Sequence, residues 1–272
     1  MTTHGPDGRL HAERDYLTYV ETYADTPGVE IVDAREVRIR LAEADDDYLN
    51  LVYGARLDAT DVAQVAREIV ATVGRGGRPF YWTIWPSDGP TDLAERLVAI
   101  GFEDHGTDPL MQLDLTVRGA LDTGGGPPAL AIAEALDPET RHALAGFAVG
   151  SLGDAAPGGS AFADTLERLA SEPDPRLRLF GGWVDGTLVT TSGLFTGAGL
   201  AGIIAVATSE AYRGRGFGRA LTAAAMEAGR AAGMTTSTLM ASELGQPVYR
   251  RLGFSEVGRV RFLRWPGGPA PA

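Results

Sequence analysis

Apolar positions along this 272-residue chain recur at two periods, about 3.6 and about 2, and each change of period marks an element. Leu10, Leu17, Val20 and Tyr23 fall at loose helical spacing over residues 9–26 with acids on the other side, which predicts a surface helix. Glu36–Leu41 and Tyr48–Leu57 read as strands joined through the turn Asp45-Asp46-Asp47. That turn lacks the ligand pattern of a calcium loop and reads as a solvated corner. Asp61 is placed to cap a helix whose inner face is Val62, Val65, Ala66, Ile69 and Val73, closed by Gly74. Pro79–Trp85 reads as a buried strand, Asp92–Ile100 as a helix capped by Thr91 and ended by Gly101-Phe102, and Leu110–Leu115 as a further strand.

Thr116–Pro128, with Gly124-Gly125-Gly126-Pro127-Pro128, has the composition of a linker. Beyond it Ala129–Ala133 is a strand, and Asp137-Pro138 opens a helix to about Gly150 with Pro138 at its first position. A helix over about Ala161–Ser171 follows a Gly/Pro-rich loop. Arg176–Val184 and Thr187–Phe195 then form a hairpin about Asp185-Gly186. Leu200–Ala207 is a strand that runs into glycines at 214, 216 and 218. In the helix after them, Phe217, Ala220, Leu221, Ala224 and Ala228 share one face. Thr235–Ala241, Glu243–Leu252 and Ser255–Trp265 read as strand, helix with Ser242 as cap, and strand. The tail from Pro266 reads as loose.

Composition removes whole classes of chemistry. With no cysteine there is no disulfide, thiolate metal site or cysteine nucleophile. All 24 basic residues are arginine, which removes Schiff-base and pyridoxal mechanisms and lysine-dependent phosphoryl transfer. The four histidines (His4, His11, His105 and His142) are scattered, so no metal site is expected. Residues 1–125 hold 11 arginines and 23 acids, a net charge of −12, whereas residues 126–272 hold 13 of each. An acidic half of that strength argues against nucleic acid or anionic lipid as partner. No run of 18 apolar residues spans a membrane, and no apolar h-region is found in the first 28 residues. A cytoplasmic location is the expectation.

The glycine loop carries the sharpest signal. A strand feeding a glycine loop and then a helix aims bare backbone N–H groups, and the positive end of the helix dipole, at an anion. Arg219 stands where the Rossmann pattern requires its third glycine, and no lysine completes a P-loop. Arg-x-x-Gly-x-Gly, Arg213 to Gly218, resembles the pyrophosphate loop of the GNAT superfamily, the acyl-CoA-dependent N-acyltransferases. The order of elements over residues 129–265 matches that fold. The resemblance implies an α+β (α/β) chain whose C-terminal half is a mixed, splayed, mostly antiparallel sheet flanked by helices. It implies acetyl-CoA as cosubstrate, with Val206, Ala207 and Thr208 alongside the pantetheine arm. The N–H groups of Gly214, Arg215, Gly216, Phe217, Gly218 and Arg219 would cup the pyrophosphate, with Arg213 and Arg219 adding charge.

A second segment, Ser242 to Phe254, closely resembles the stretch where the family places a tyrosine beside the CoA sulfur. There Tyr249 would protonate the leaving thiolate, since a phenol of pKa about 10 keeps its proton at neutral pH; a packed core aromatic is the plain alternative. The family often has asparagine where Ser242 stands and alanine at Gly245. Candidates for a general base are Glu210, Glu243, Asp154 and Glu134, and the sequence does not choose among them.

Leu97-x-x-x-Gly101-Phe102 echoes Leu252-Gly253-Phe254, so residues 1–120 resemble a degenerate second copy without the CoA loop. The expected division is an acidic lobe at 1–120, a linker at 121–128, an acetyltransferase domain at 129–265 and a tail at 266–272. The expected function is transfer of an acetyl group by direct attack of a small molecule's primary amine, the acidic lobe favouring a cationic acceptor. The alternatives are a non-catalytic CoA- or partner-binding protein of the same fold, or a protein or peptide N-acetyltransferase.

Overall fold

The computed structural model describes residues 10–117, 127, 129–151 and 161–268. Its first half comprises α1 (His11–Glu21), β1 (Val29–Ala34), β2 (Val37–Ala42), β3 (Leu51–Tyr53), α2 (Val62–Thr72), β4 (Phe80–Ile84), α3 (Leu93–Ile100) and β5 (Glu103–Asp114). Its second half comprises β6 (Ala131–Glu134), α4 (Pro138–Gly150), α5 (Ala161–Ser171), β7 (Leu177–Val184), β8 (Thr187–Phe195), β9 (Ala201–Thr208), α6 (Phe217–Ala231), β10 (Thr236–Met240), α7 (Gln246–Arg251) and β11 (Ser255–Trp265). The order of elements expected for residues 129–265 is the order observed. Local chemistry explains several of the boundaries. Asp137 accepts the Thr140 N–H at 2.8 Å to start α4. Asp185 and Gly186 turn the β7–β8 hairpin with φ of 49° and 77°.

The strands form one mixed sheet, ordered β1-β2-β3-β4-β11-β5-β10-β9-β8-β7-β6, with helices on its faces. The last strand of each half has crossed into the other. β11 lies between β4 and β5, and β5 lies between β11 and β10. Arginines of β11 meet acids of the first half across this seam: Arg261 pairs with Asp104 at 2.7 Å, and Arg264 with Asp47 at 2.7 Å. The excess acid of the first half is thus partly answered by the last strand.

Two pairs of neighbouring strands run parallel, and they occupy equivalent places. β3 and β4 pair at Leu51–Tyr81 and Val52–Trp82; β9 and β10 pair at Ala201–Ser237 and Thr238–Gly202. Each pair then splays. Each half also ends its last helix the same way. Gly101 and Gly253 are left-handed (φ 118° and 94°), and Phe102 and Phe254 donate N–H bonds back to Leu97 and Tyr249. Leu97, fully buried, therefore stands in the first half where Tyr249 stands in the second. In the first half the splay is stitched shut, because Leu57 N–H bonds Gly89 O and Gly89 N–H bonds Ala55 O.

Several expectations are corrected. Residues 9–26 do not form a surface helix: α1 buries Ala12, Glu13, Asp15, Leu17 and Val20 against β5, β9 and β10. The Asp45–Asp47 turn is not merely solvated. Asp46 accepts the N–H groups of Tyr48 and, across the molecule, of Phe162 at the start of α5. Strand β1, whose burial alternates weakly, has no counterpart in the expected elements. The tail starts tied rather than loose, with Gly268 N–H donating to Gly77 O at 3.4 Å. The Gly124–Gly126 stretch and Asp154 lie outside the described residues.

Candidate active site

Helix α6 starts where Gly214 and Gly216 take φ of 73° and 84°, a region that side chains with a Cβ enter at a cost of about 1–2 kcal/mol. Nothing lies within 4 Å of the place a Cβ would occupy at either glycine, so the loop faces open space. Gly218 has another role. A Cβ there would approach Thr208 Oγ1 to 3.1 Å, so its absence lets α6 sit close to the end of β9. Arg213 donates Nε–H to Thr208 O at 3.1 Å and so ties the loop to the same strand end. Tyr212 and Phe217 pack edge to face at 5.5 Å beneath it.

Among the described residues the pairing of β9 with β10 ends at Gly202–Thr238, and β9 carries a bulge. Ala205 takes φ of 52°, with the register to β8 shifting between Thr191 and Gly193. A non-glycine residue in that conformation costs of order 1–3 kcal/mol and persists only where its surroundings hold it. Here Thr191 Oγ1 donates to Ala205 O at 3.0 Å and Thr190 Oγ1 to Ala207 O at 2.8 Å. The splayed edge of β9 therefore presents Val206, Ala207 and Thr208 to an open cleft in a fixed geometry.

That cleft, of about 560 Å³, runs from the glycine loop to α7. Val206, Ala207, Thr208, Arg213, Gly214, Gly216, Phe217, Gly218 and Arg219 all line it. Arg215 does not: its guanidinium lies over the Tyr212 ring at 5.7 Å. Residues that the sequence did not single out complete the wall, among them Ser151, Leu244 and Arg251.

Tyr249 closes the far end. Burial pushes its phenol up to about 12, so the group holds its proton at neutral pH. Its ring packs against Gly245, where an added Cβ would come within 2.6 Å of Cε2. That explains the glycine where the family often has alanine. Ser242 accepts the Gly245 N–H at 3.3 Å and shapes the start of α7.

On the other side of the splay lies a second cavity, of about 320 Å³. Val206, Ala207, Ser151, Ser242 and Tyr249 line both spaces, so the two meet at the bulged strand and the phenol. Tyr16, Tyr19 and Tyr23, from α1 and the turn after it, form one wall. Reading 9–26 as a surface helix hid them, although three tyrosines at spacings of three and four were visible. No acidic side chain among the described residues lines either space. Glu134 is held by Arg178 through contacts of 2.8 and 2.6 Å, which keep its carboxyl below the usual range. Glu210 and Glu243 lie outside both linings.

No curated protein matches the chain. Among solved structures, a GCN5-related N-acetyltransferase from Kribbella flavida superposes with a TM-score of 0.73 at 21% identity, over 96% of this chain and 97% of that one. Another from Sphaerobacter thermophilus gives 0.56 at 18%, over 89% and 84%. A tandem GNAT protein from the clavulanic acid biosynthesis pathway gives 0.56 at 16%, over 93% and 94%. At these identities the likeness is one of fold. The sequence itself matches the model of the acetyltransferase (GNAT) family over residues 140–254. Residues 140–254 therefore match the acetyltransferase (GNAT) family, within a chain whose overall fold is that of GCN5-related N-acetyltransferases.

Proposed function

We propose that the protein transfers an acetyl group from acetyl-CoA to the primary amine of a small molecule. The observation that carries this reading is the meeting of two spaces at one strand. A cleft of nucleotide size ends where a second, largely apolar cavity begins, and Tyr249 stands at the junction. The main-chain N–H groups of Gly214, Arg215, Gly216, Phe217, Gly218 and Arg219 receive the diphosphate at the positive end of α6, with Arg213 beside them. Val206, Ala207 and Thr208 carry the pantetheine along the unpaired edge of β9. Residues 129–265 form the transferase and 1–120 an acidic lobe that lacks the loop, joined through 121–128 and followed by the 266–272 tail. Each half lends the other its last strand.

The amine nitrogen attacks the thioester carbon. A C–N bond forms, and the carbonyl oxygen becomes an oxyanion stabilised by a backbone N–H near Val206. As the C–S bond breaks, Tyr249 gives its proton to the sulfur. The acylated nitrogen then returns a proton to the phenolate, directly or through water. The products are an amide and the free thiol; an acceptor that arrives as an ammonium first gives up one further proton, to solvent or to a base, so that its lone pair can attack. The enzyme's main contribution is positioning, since both reactants are held at one strand.

A thiol-release assay with acetyl-CoA against a panel of amines tests the reading. Thiol release that depends on an amine supports it. Bound acetyl-CoA with no release for any amine contradicts it and favours a binding protein of the same fold.

A further inference from the structure

The acceptor side of the site is built from rings and aliphatic groups. Tyr16 and Tyr19 meet at 6.1 Å and Tyr19 and Tyr23 at 5.9 Å, both edge to face, while Phe162 stacks on Tyr23 at 6.3 Å. Leu166, Leu169 and Val149 face them. Burial raises the phenols of Tyr16, Tyr19 and Tyr23, so all three are neutral. Two buried ionisable groups stand behind this wall. Arg40 lies 4.1 Å over the Tyr23 ring and gives its N–H groups to the carbonyls of Leu49, Val20 and Tyr48. Asp15 bonds Thr238 Oγ1 and lines a separate, water-sized void behind Tyr16 and Tyr19. The acids of the first half do not reach the cavity among the described residues, which removes the basis for expecting a polycation.

Size decides the rest. A dry cavity of about 150 Å³ accommodates benzene, and this one is about 320 Å³. A second ammonium inside it would lose its hydration with no carboxylate among the described lining residues to replace it. We infer that the acceptor carries its amine on an uncharged apolar body of one or two rings, an arylalkylamine or a bulky alkylamine, and that Tyr16 and Tyr19 select it. The selecting residues thus come from the half of the chain that lacks the CoA loop. The inference rests on the proposed transfer to an amine and on this cavity being its acceptor side.

Initial rates with 2-phenylethylamine, tryptamine, ethylamine, spermidine and an aminoglycoside test it. Burying a ring predicts a kcat/KM for 2-phenylethylamine at least about 10-fold above those of ethylamine and spermidine. Tyr19→Ala raises KM for 2-phenylethylamine about 10-fold while leaving acetyl-CoA affinity within about twofold. Ala148→Phe, which fills the cavity from α4, does the same without removing a wall. Should Tyr19→Ala fail to fold, Ala148→Phe carries the test. A preference for spermidine or the aminoglycoside, or equal rates with ethylamine, overturns this inference and leaves acetyl transfer standing. Silence with every amine while acetyl-CoA binds overturns both.

Discussion

Two buried ionisable side chains are pushed in the same direction by loss of water, with different consequences. For Tyr249, with the phenol up at about 12, the shift keeps the group protonated, as the proposed role of proton donor requires. Tyr249→Phe keeps the ring that packs on Phe254 and removes only the donor. It should lower kcat by about 100-fold or more with acetyl-CoA affinity unchanged, as a lost general acid does. Unchanged turnover in stopped-flow or steady-state assays would reject the phenol as proton donor. For Asp15 the cost falls on stability. Its carboxyl is 3% exposed, Oδ1 has no partner, and burial lifts it to about 7. The native state therefore holds this proton more tightly than the unfolded chain. The stability it confers is complete below about pH 4 and is lost as pH rises to about 7, about 4 kcal/mol in all. Asp15→Asn removes that dependence, so denaturant titrations from pH 4 to 8 should show a flatter slope than the parent. Identical slopes would mean that Asp15 does not titrate in this range.

At the scale of elements, α7 shows how a backbone position sets a functional one. The Tyr249 ring occupies the space over Gly245, so Gly245→Ala must displace the phenol or shift the helix start. The expected outcome is a fall in kcat with the thermal midpoint and acetyl-CoA affinity largely kept; a loss of stability without a fall in kcat would contradict it. Elements of this kind were legible in the sequence because their signals are local. The Arg213–Gly218 loop, the Asp185-Gly186 turn and the Asp137-Pro138 start each follow from the conformations that their residues permit. Strand β5 was legible only in its apolar second half. Glu103 to Asp108 alternate no apolar residues, and that part is a strand because β11 lies beside it. Helix α1 was found but misplaced, since Glu13 and Asp15 read as a solvent face and are instead buried. Propensity shows that such a helix forms, whereas only the tertiary structure shows what it covers.

The whole molecule is held together by the exchange of β5 and β11. Neither half can close its sheet without a strand encoded in the other, and this long-range pairing leaves no local trace in the sequence. The two halves should therefore unfold together. Trp82, Trp85 and Trp265 report on the first-half core, so in Trp183→Phe the tryptophan emission follows that half alone. Its thermal or urea transition should coincide with the far-ultraviolet circular dichroism of the entire chain; two separated transitions would refute the coupling. The same exchange places α1 and its tyrosines behind the splay of β9 and β10, so the half with the stitched-shut opening furnishes a wall of the open one. The open site stands or falls with its ligand. Titration of the intact chain with acetyl-CoA, read by calorimetry and by the backbone amide resonances of residues 214–219, is the most direct measurement. Saturable binding is predicted, with shifts concentrated at those amides and affinity reduced at least about 10-fold by Gly216→Val, which fills the open space and strains a left-handed residue. Absence of binding, or binding that leaves those amides unmoved and tolerates Gly216→Val, would contradict it.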